Sequence, residues 1–197
     1  MDPTEARQEY IQTLVRGLHQ ASREYEATRP LKIMVMGPKP EEDEKKESNP
    51  AKLRKLLIQE CKALGSVDVQ PEHKDVQEAT KQELGAGWNL TLHEIGMADA
   101  SDLIVIIPRS AGSIAELGYF AMHSKFCGKM IILFDKEYER SEDSYISRGP
   151  RKSAKDLRAR VEFVDYSRFE ESWAVVKERI EILRSERMRR SIEAREG

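Results

Sequence analysis

The fold is decided by the stretch Leu103-Ile-Val-Ile-Ile-Pro-Arg-Ser-Ala-Gly-Ser-Ile-Ala-Glu-Leu-Gly118. Its five leading residues are apolar and mostly β-branched, which predicts a buried central strand. A turn of small residues follows, and residues 114–125 have helical spacing. A strand, a turn and a helix N-terminus in this order bring backbone N–H groups and the positive end of a helix dipole to one point. The pattern predicts an anion site there, with Glu116 facing the same crevice from the first turn of the helix.

Four other strands are predicted along the chain, and helical segments separate them. They lie at residues 31–36, 67–69, 129–134 and 161–164. This alternation predicts an α/β fold, a doubly wound, mostly parallel five-stranded Rossmann-like sheet with helices on both faces. Extra helices are expected at both termini. We divide the chain into an N-terminal helical extension (1–30), a Rossmann-like domain (31–183) and a charged C-terminal helical tail (184–197).

The composition narrows the class of protein. A formal net charge of −2 over 197 residues gives no global attraction to nucleic acid or to an anionic membrane. The two cysteines suit a reducing cytosol better than a disulfide framework. No apolar run reaches the ~20 residues that span a membrane, and the first residues lack a signal-peptide pattern. We expect a cytoplasmic protein that binds neither membrane nor nucleic acid.

Ligands of parallel sheets bind beyond the carboxyl ends of the strands. Gly37 follows the first predicted strand, Lys39 lies two residues later, and Asp135 follows the fourth predicted strand. A long polar connection at 136–153 then starts at the same edge, where active-site loops concentrate. For the lysine the alternative is a solvated turn residue, and for the connection the alternative is a disordered loop. The candidate ligand contacts at this edge are Gly37, Lys39, Asp135, Tyr145 and Arg148.

Further candidates come from the central turn, from its helix and from the helix that precedes the central strand. Ser110, Gly112, Ser113 and Tyr119 are the ligand-binding candidates of the turn and the helix after it. His93 and Glu94 are catalytic candidates on the preceding helix, with an ordinary surface pair as the alternative. The His and acidic residues have no metal-ligand spacing, so neither a metal nor another cofactor is expected.

The central turn resembles two related families of this architecture. Residues 108–117 resemble the Pro-Gly-Gly-x-Gly-Thr-x-x-Glu signature of the LOG-type phosphoribohydrolases and the wider SLOG nucleotide-binding group, with Arg109 and Ser110 in place of two glycines. Residues 112–122 also resemble the nucleoside 2-deoxyribosyltransferases. In those enzymes an Asp-Gly-Ser/Thr-x-x-Glu-Ile-Gly turn precedes a helix and a strand similar to residues 129–132. Ala111 stands where the transferases carry the aspartate.

The resemblance implies a reaction and a role for Glu116. Its counterpart in the transferases is the nucleophile that takes the sugar carbon, while the adjacent turn, here Gly112 and Ser113, holds phosphate or sugar hydroxyls. The implied activity is that of an N-glycosidase-like hydrolase or transferase acting on a nucleotide, a nucleoside or NAD. Domains of this type act as nucleotide-depleting effectors in bacterial anti-phage systems. Because Ala111 replaces the aspartate, a non-catalytic nucleotide sensor that uses the same crevice remains the alternative.

Two matters stay open at the level of sequence. The acid that protonates the leaving base has three candidates: Tyr145, His93 and Glu94. The partners are the second matter, because both terminal helices carry apolar stripes and the related families complete their sites across subunits. We therefore expect a homo-oligomer, with the terminal helices as a surface for a protein partner.

Overall fold

The computed structural model describes residues 3–41, 43, 46–140 and 144–196. Its centre is a five-stranded sheet with the strand order β2-β1-β3-β4-β5, in which every neighbouring pair is parallel. Helices surround this sheet, so the predicted Rossmann-like α/β fold is confirmed. The strands are β1 (Lys32–Met36), β2 (Val67–Asp68), β3 (Leu103–Ile106), β4 (Met130–Asp135) and β5 (Arg160–Val164).

The helices follow the predicted order with two differences. The segment predicted as one helix at 114–125 forms two helices, and the long connection after β4 contains short helical turns of its own. The helices are α1 (Pro3–Thr28), α2 (Asn49–Ala63), α3 (Lys74–Leu84), α4 (Leu90–Ala100), α5 (Ala111–Phe120), α6 (Ser124–Cys127), α7 (Lys152–Asp156) and α8 (Phe169–Glu196).

The predicted central strand occupies the middle of the sheet. Its residues from Leu103 to Ile106 are almost completely buried, as a strand covered on both faces requires. Ile104 lies opposite Met34 of β1 and opposite Met130 of β4, so the register aligns the carboxyl ends of the three strands. This alignment brings the residues that follow β1, β3 and β4 to one edge of the sheet.

The end of α2 shows how the chain enters β2. Gly65 has a φ of +76°, a left-handed conformation that glycine adopts without steric cost. Its N–H donates to the Lys62 carbonyl at 2.8 Å, and the Ser66 N–H donates to the Cys61 carbonyl at 3.0 Å. This Schellman arrangement satisfies the last helical carbonyls and reverses the chain directly into the strand. It also sets the position of the segment that follows β2.

The chain forms two compact units. Residues 31–176 contain the sheet and every candidate site residue, whereas residues 1–30 and 177–197 make up the other unit. Within this second unit, the Arg187 guanidinium donates to the Arg29 carbonyl at 3.0 Å. The apolar stripe of α1 is exposed at Ile11, Leu14, Val15 and Leu18.

None of the helices in the described ranges is both long enough and apolar enough to cross a lipid bilayer.

Candidate functional site

The turn after β3 is held by two serine side chains. Ser110 is the N-cap of α5, and its hydroxyl accepts the Ser113 N–H at 3.2 Å. The buried Ser113 hydroxyl accepts the N–H groups of Arg109 at 3.1 Å and Ser110 at 3.0 Å. This reciprocal capping box satisfies backbone donors that would otherwise be available to a ligand. Both serines therefore shape the turn, and their predicted contact with a ligand stays a prediction.

Helix α5 begins at Ala111, three residues earlier than the spacing predicts. Glu116 consequently lies in the second turn and not in the first, and that expectation was wrong. The capping serines extend the helix towards the strand because they supply the partners that its first N–H groups lack. Gly112 is exposed at this helix start.

Four of the sequence candidates meet in one pocket of about 350 Å³ between α4 and α5. They are Glu94, Gly112, Glu116 and Tyr119, and we call this cavity the acidic pocket. Its lining residues are Leu90, Thr91, Glu94, Ile95, Gly112, Ala115, Glu116, Tyr119 and Phe120. The two carboxylates thus reach one apolar cavity from two different helices.

The acidic pocket changes the ionisation of its carboxyl groups. The pKa of Glu116 is raised to about 7, first by burial and then by the negative charges of Glu94 and Glu72, while the charge of Arg54 acts in the opposite direction. The pKa of Glu94 is also raised, first by burial and then by the charge of Glu72. Carboxyl groups with raised pKa values in a cleft are typical of acid–base and nucleophilic sites. Near neutral pH, Glu116 therefore exists in both its protonated and ionised forms.

Arg54 is the buried cation behind this pocket. It lies on α2 with only 3% of its surface exposed. Its guanidinium donates to the carbonyls of Val35 at 2.9 Å and Gly37 at 3.0 Å, at the end of β1. It also donates to the side-chain oxygens of Gln70 and Glu72, both at 2.7 Å. Arg54 thus ties α2 to the ends of β1 and β2 and orients the Glu72 carboxylate.

Sequence reasoning missed both Arg54 and Glu72. Arg54 lies three residues before Leu57 and seven before Cys61, so it shares the buried face of α2 with them. A cation on an apolar helix face is unusual and could have drawn attention to it. Glu72 follows β2 by a few residues, at the edge of the sheet where ligands bind. Its side chain is half-exposed, although one oxygen contacts Arg54.

Gly37 has a packing role at the end of β1. A Cβ atom there would lie 3.0 Å from the Ile107 Cβ and 3.3 Å from the Ile107 carbonyl oxygen. Only glycine lets the ends of β1 and β3 approach this closely. Lys39 is exposed beyond it and does not line the acidic pocket. A ligand contact of either residue stays a prediction.

Asp135 lies in a second cavity of about 410 Å³, which we call the edge pocket. Its carboxylate accepts the Glu137 N–H at 3.1 Å and so caps the turn after β4. Arg109 reaches the same cavity and pairs with the Glu137 carboxylate and the Tyr138 hydroxyl. The edge pocket is lined by Pro38, Ser48, Asn49, Pro50, Arg109, Asp135, Asp165, Tyr166 and Ser167.

The remaining three candidates lie apart from the acidic pocket. Tyr145 is 82% exposed. Arg148 lines a third cavity of about 400 Å³, the basic pocket, which involves Arg151, Lys152 and Lys155 as well. His93 is buried in α4, and its Nε2 atom has no hydrogen-bond partner among the residues described.

The described residues offer carboxyl groups with raised pKa values and buried, protonated thiols. In the described part of the chain, no group of three or more His, Cys, Asp or Glu side chains could hold a metal ion. Burial raises the pKa of the Cys61 thiol to about 12, and the Cys127 thiol is shifted in the same direction. Neither thiol is therefore a thiolate nucleophile at neutral pH. The acidic pocket is the candidate active site.

The profile of a family described as STM3845 retron effector protein matches residues 50–195, about three-quarters of the chain. The match includes the whole lining of the acidic pocket. No curated protein matches the chain. Because this match covers well over half of the chain, the chain belongs to the STM3845 retron effector family.

Proposed function

We propose that this protein is an N-glycosidase-like enzyme that cleaves the N-glycosidic bond of a nucleotide, a nucleoside or NAD in the acidic pocket. The observation that carries the proposal is that Glu94 and Glu116 line one partly apolar cavity, while Glu72 and the buried Arg54 are close enough to affect the pKa of Glu116. A site with an excess of negative charge and partly buried carboxylates favours a reaction in which positive charge develops.

Breaking an N-glycosidic bond is such a reaction. The base leaves with the electron pair of the C–N bond, and the anomeric carbon acquires oxocarbenium character. Ionised Glu116 stabilises this positive charge or forms a bond to the anomeric carbon, and the negative charge of Glu72 acts in the same sense. Water then adds to the sugar carbon and releases Glu116. The proton that this water loses replaces the proton that the protein delivered to the base.

The acid for the departing base is assigned to Glu94 in this proposal. Its pKa is raised by burial and by Glu72, so a protonated fraction persists at a higher pH than for an ordinary glutamate. Glu94 lines the same cavity as Glu116, whereas Tyr145 does not line it. A nicotinamide leaving group needs no such proton, because it departs neutral from a cationic substrate.

The family description supports a biological role for this reaction. A retron effector that removes bases from nucleotides or from NAD would deplete the nucleotide pool of an infected cell, and we propose this anti-phage role for the chain. The likeness of residues 108–122 to phosphoribohydrolases and deoxyribosyltransferases supports the same reaction class.

The decisive experiment is product analysis by chromatography. Wild-type protein and Glu116→Gln are incubated with a panel of nucleosides, nucleoside phosphates and NAD, and free base is measured. We expect free base from wild type and a loss of at least about 10²- to 10³-fold in Glu116→Gln, the range for removing a group that stabilises transition-state charge. Glu170→Gln makes the same chemical change at an exposed site on α8 and should leave the rate unchanged.

A variant of Glu94 tests the shared electrostatics of the pocket. With NAD, whose nicotinamide needs no proton from Glu94, the pH midpoint for base release in Glu94→Gln should move to lower pH, because the variant lacks a negative charge that helps to raise the pKa of Glu116. An unchanged midpoint would show that the charge of Glu94 does not influence the ionisation of Glu116. No free base from any substrate, with nucleotide binding retained in calorimetry, would overturn the enzyme and favour the sensor that Ala111 suggests.

A further inference from the structure

The basic pocket gathers positive charge in one place on a chain whose net charge is negative. Its described lining includes Arg148, Arg151, Lys152 and Lys155, and among the described lining residues the one carboxylate is that of Glu139. The cavity measures about 400 Å³. It shares no lining residue with the acidic pocket or with the edge pocket. The basic pocket is therefore a third, separate cavity.

The four cations come from one helical stretch at residues 147–156. Arg148 is followed by Arg151 and Lys152 three and four residues later, and Lys155 follows this adjacent pair at the same intervals, which brings the four side chains towards one side of the stretch. Like charges at this spacing destabilise a helix. The ion pair of Lys152 with Asp156, at 2.6 Å, compensates part of this repulsion. A bound anion would compensate more of it.

An aromatic and apolar floor adjoins these cations. Val161 and Phe163 are alternate residues of β5 and project to the same side of the sheet. The Phe163 ring stacks on Phe134 with centroids 5.9 Å apart and an interplanar angle of 28°. The Arg151 guanidinium carbon lies 5.5 Å from the centroid of the Phe163 ring. Phe163 is partly exposed, so its ring borders the cavity.

We infer that the basic pocket binds a nucleoside di- or triphosphate, with the phosphates on the cations and the base towards Phe163. Arginine and lysine side chains suit phosphate oxygens, and an aromatic face suits a base of any kind. The cavity volume lies within the range of small-molecule sites. A nucleic-acid strand would instead need a charged groove that follows its backbone, whereas these cations surround a single cavity.

Isothermal titration calorimetry tests the inference on the full chain in the Glu116→Gln background, which prevents turnover in the acidic pocket. The titrants are ATP, ADP, inorganic tripolyphosphate and a short single-stranded oligonucleotide. We expect ATP and tripolyphosphate to bind, and the double variant Arg148→Ala/Lys155→Ala to weaken both at least tenfold. Lys177→Ala, an exposed lysine outside the pocket, is the matched control and should change neither affinity.

Phe163→Leu separates the base from the phosphates. It should weaken ATP binding several-fold and leave tripolyphosphate binding unchanged, because tripolyphosphate has no base to stack. Thermal unfolding of each variant establishes that it is folded. Absence of ATP and tripolyphosphate binding overturns the site, and so does tripolyphosphate binding that the Arg148→Ala/Lys155→Ala variant retains. Binding of the oligonucleotide but not of ATP would assign the pocket to nucleic acid. None of these outcomes depends on whether the acidic pocket releases free base.

Discussion

The acidic pocket and the basic pocket crowd charges of opposite sign, but they differ in burial. Glu94 and Glu116 lie partly buried between two helices, where loss of water raises their pKa values. Arg148, Lys152 and Lys155 lie exposed on the surface. Charge in the acidic pocket is therefore costly to maintain and changes with pH, whereas charge in the basic pocket is hydrated. The comparison teaches that burial, more than the number of charges, makes a cluster chemically reactive.

The acidic pocket also has a buried counter-charge of its own. Arg54 holds the Glu72 carboxylate and two backbone carbonyls, so the same side chain supports the fold and lowers the pKa of Glu116. The basic pocket has exposed ion pairs instead, such as that of Lys152 with Asp156. Exposed pairs of this kind contribute little to stability.

The largest effect is expected from Arg54→Met, which keeps an unbranched side chain and removes the charge. The free energy of unfolding should fall by about 3–5 kcal/mol, because the carbonyls of Val35 and Gly37 and the side chain of Gln70 lose their donor. Urea denaturation measures it. Lys52→Met, an exposed change on the same helix, should cost less than about 0.5 kcal/mol. Equal losses of unfolding free energy in the two variants would show that the buried hydrogen bonds of Arg54 do not stabilise the fold more than an exposed lysine does.

A smaller effect is expected from Glu116→Gln on stability. Because the pKa of Glu116 in the folded protein is about 7, above its ordinary value of 4.5, the folded state favours the protonated form. That stabilisation is complete below about pH 4.5 and is lost as the pH rises through about 7. Glutamine mimics the protonated form, so the variant should be more stable than wild type by roughly 2 kcal/mol at about pH 8, after allowance for residual exposure.

At about pH 4, where Glu116 is protonated in both folded and unfolded chains, Glu116→Gln and wild type should be nearly equally stable. Thermal unfolding at the two pH values makes the measurement. A stability difference that does not vary with pH would contradict the buried, carboxylate-rich environment of Glu116.

The smallest effect is expected from added salt, which should act differently on ligand binding in the basic pocket and on the ionisation of Glu116 in the acidic pocket. Raising sodium chloride from about 50 mM to about 500 mM screens exposed charges more than buried ones. Tripolyphosphate should bind the basic pocket roughly tenfold more weakly at the higher concentration, about 1.4 kcal/mol. The pH midpoint of Glu116, followed by the stability difference above, should move by less than about half a unit. A large shift of that midpoint would mean that Glu116 is well exposed to solvent.

The order of strands and helices was predictable because it depends on local patterns. The apolar run at 103–107 identified the buried middle strand. The connection at 136–153 was harder to interpret, because Gly149 and Pro150 are typical of a loop. The structure places both in a wide helical turn before α7. Proline removes one N–H donor, and in this short turn that loss did not prevent a helical path.

The sequence by itself determined the α/β architecture, since the order of strands and helices follows from local spacing, and it singled out Glu116 as a candidate carboxylate from the pattern of one stretch of chain. Only the tertiary structure decided which groups surround Glu116. Arg54 and Glu72 come from distant elements, and no periodicity relates them to residue 116. The division of the candidates among separate pockets likewise depends on how the loops at the carboxyl edge pack. Burial and electrostatic coupling arise from these long-range contacts, so local sequence patterns do not encode them.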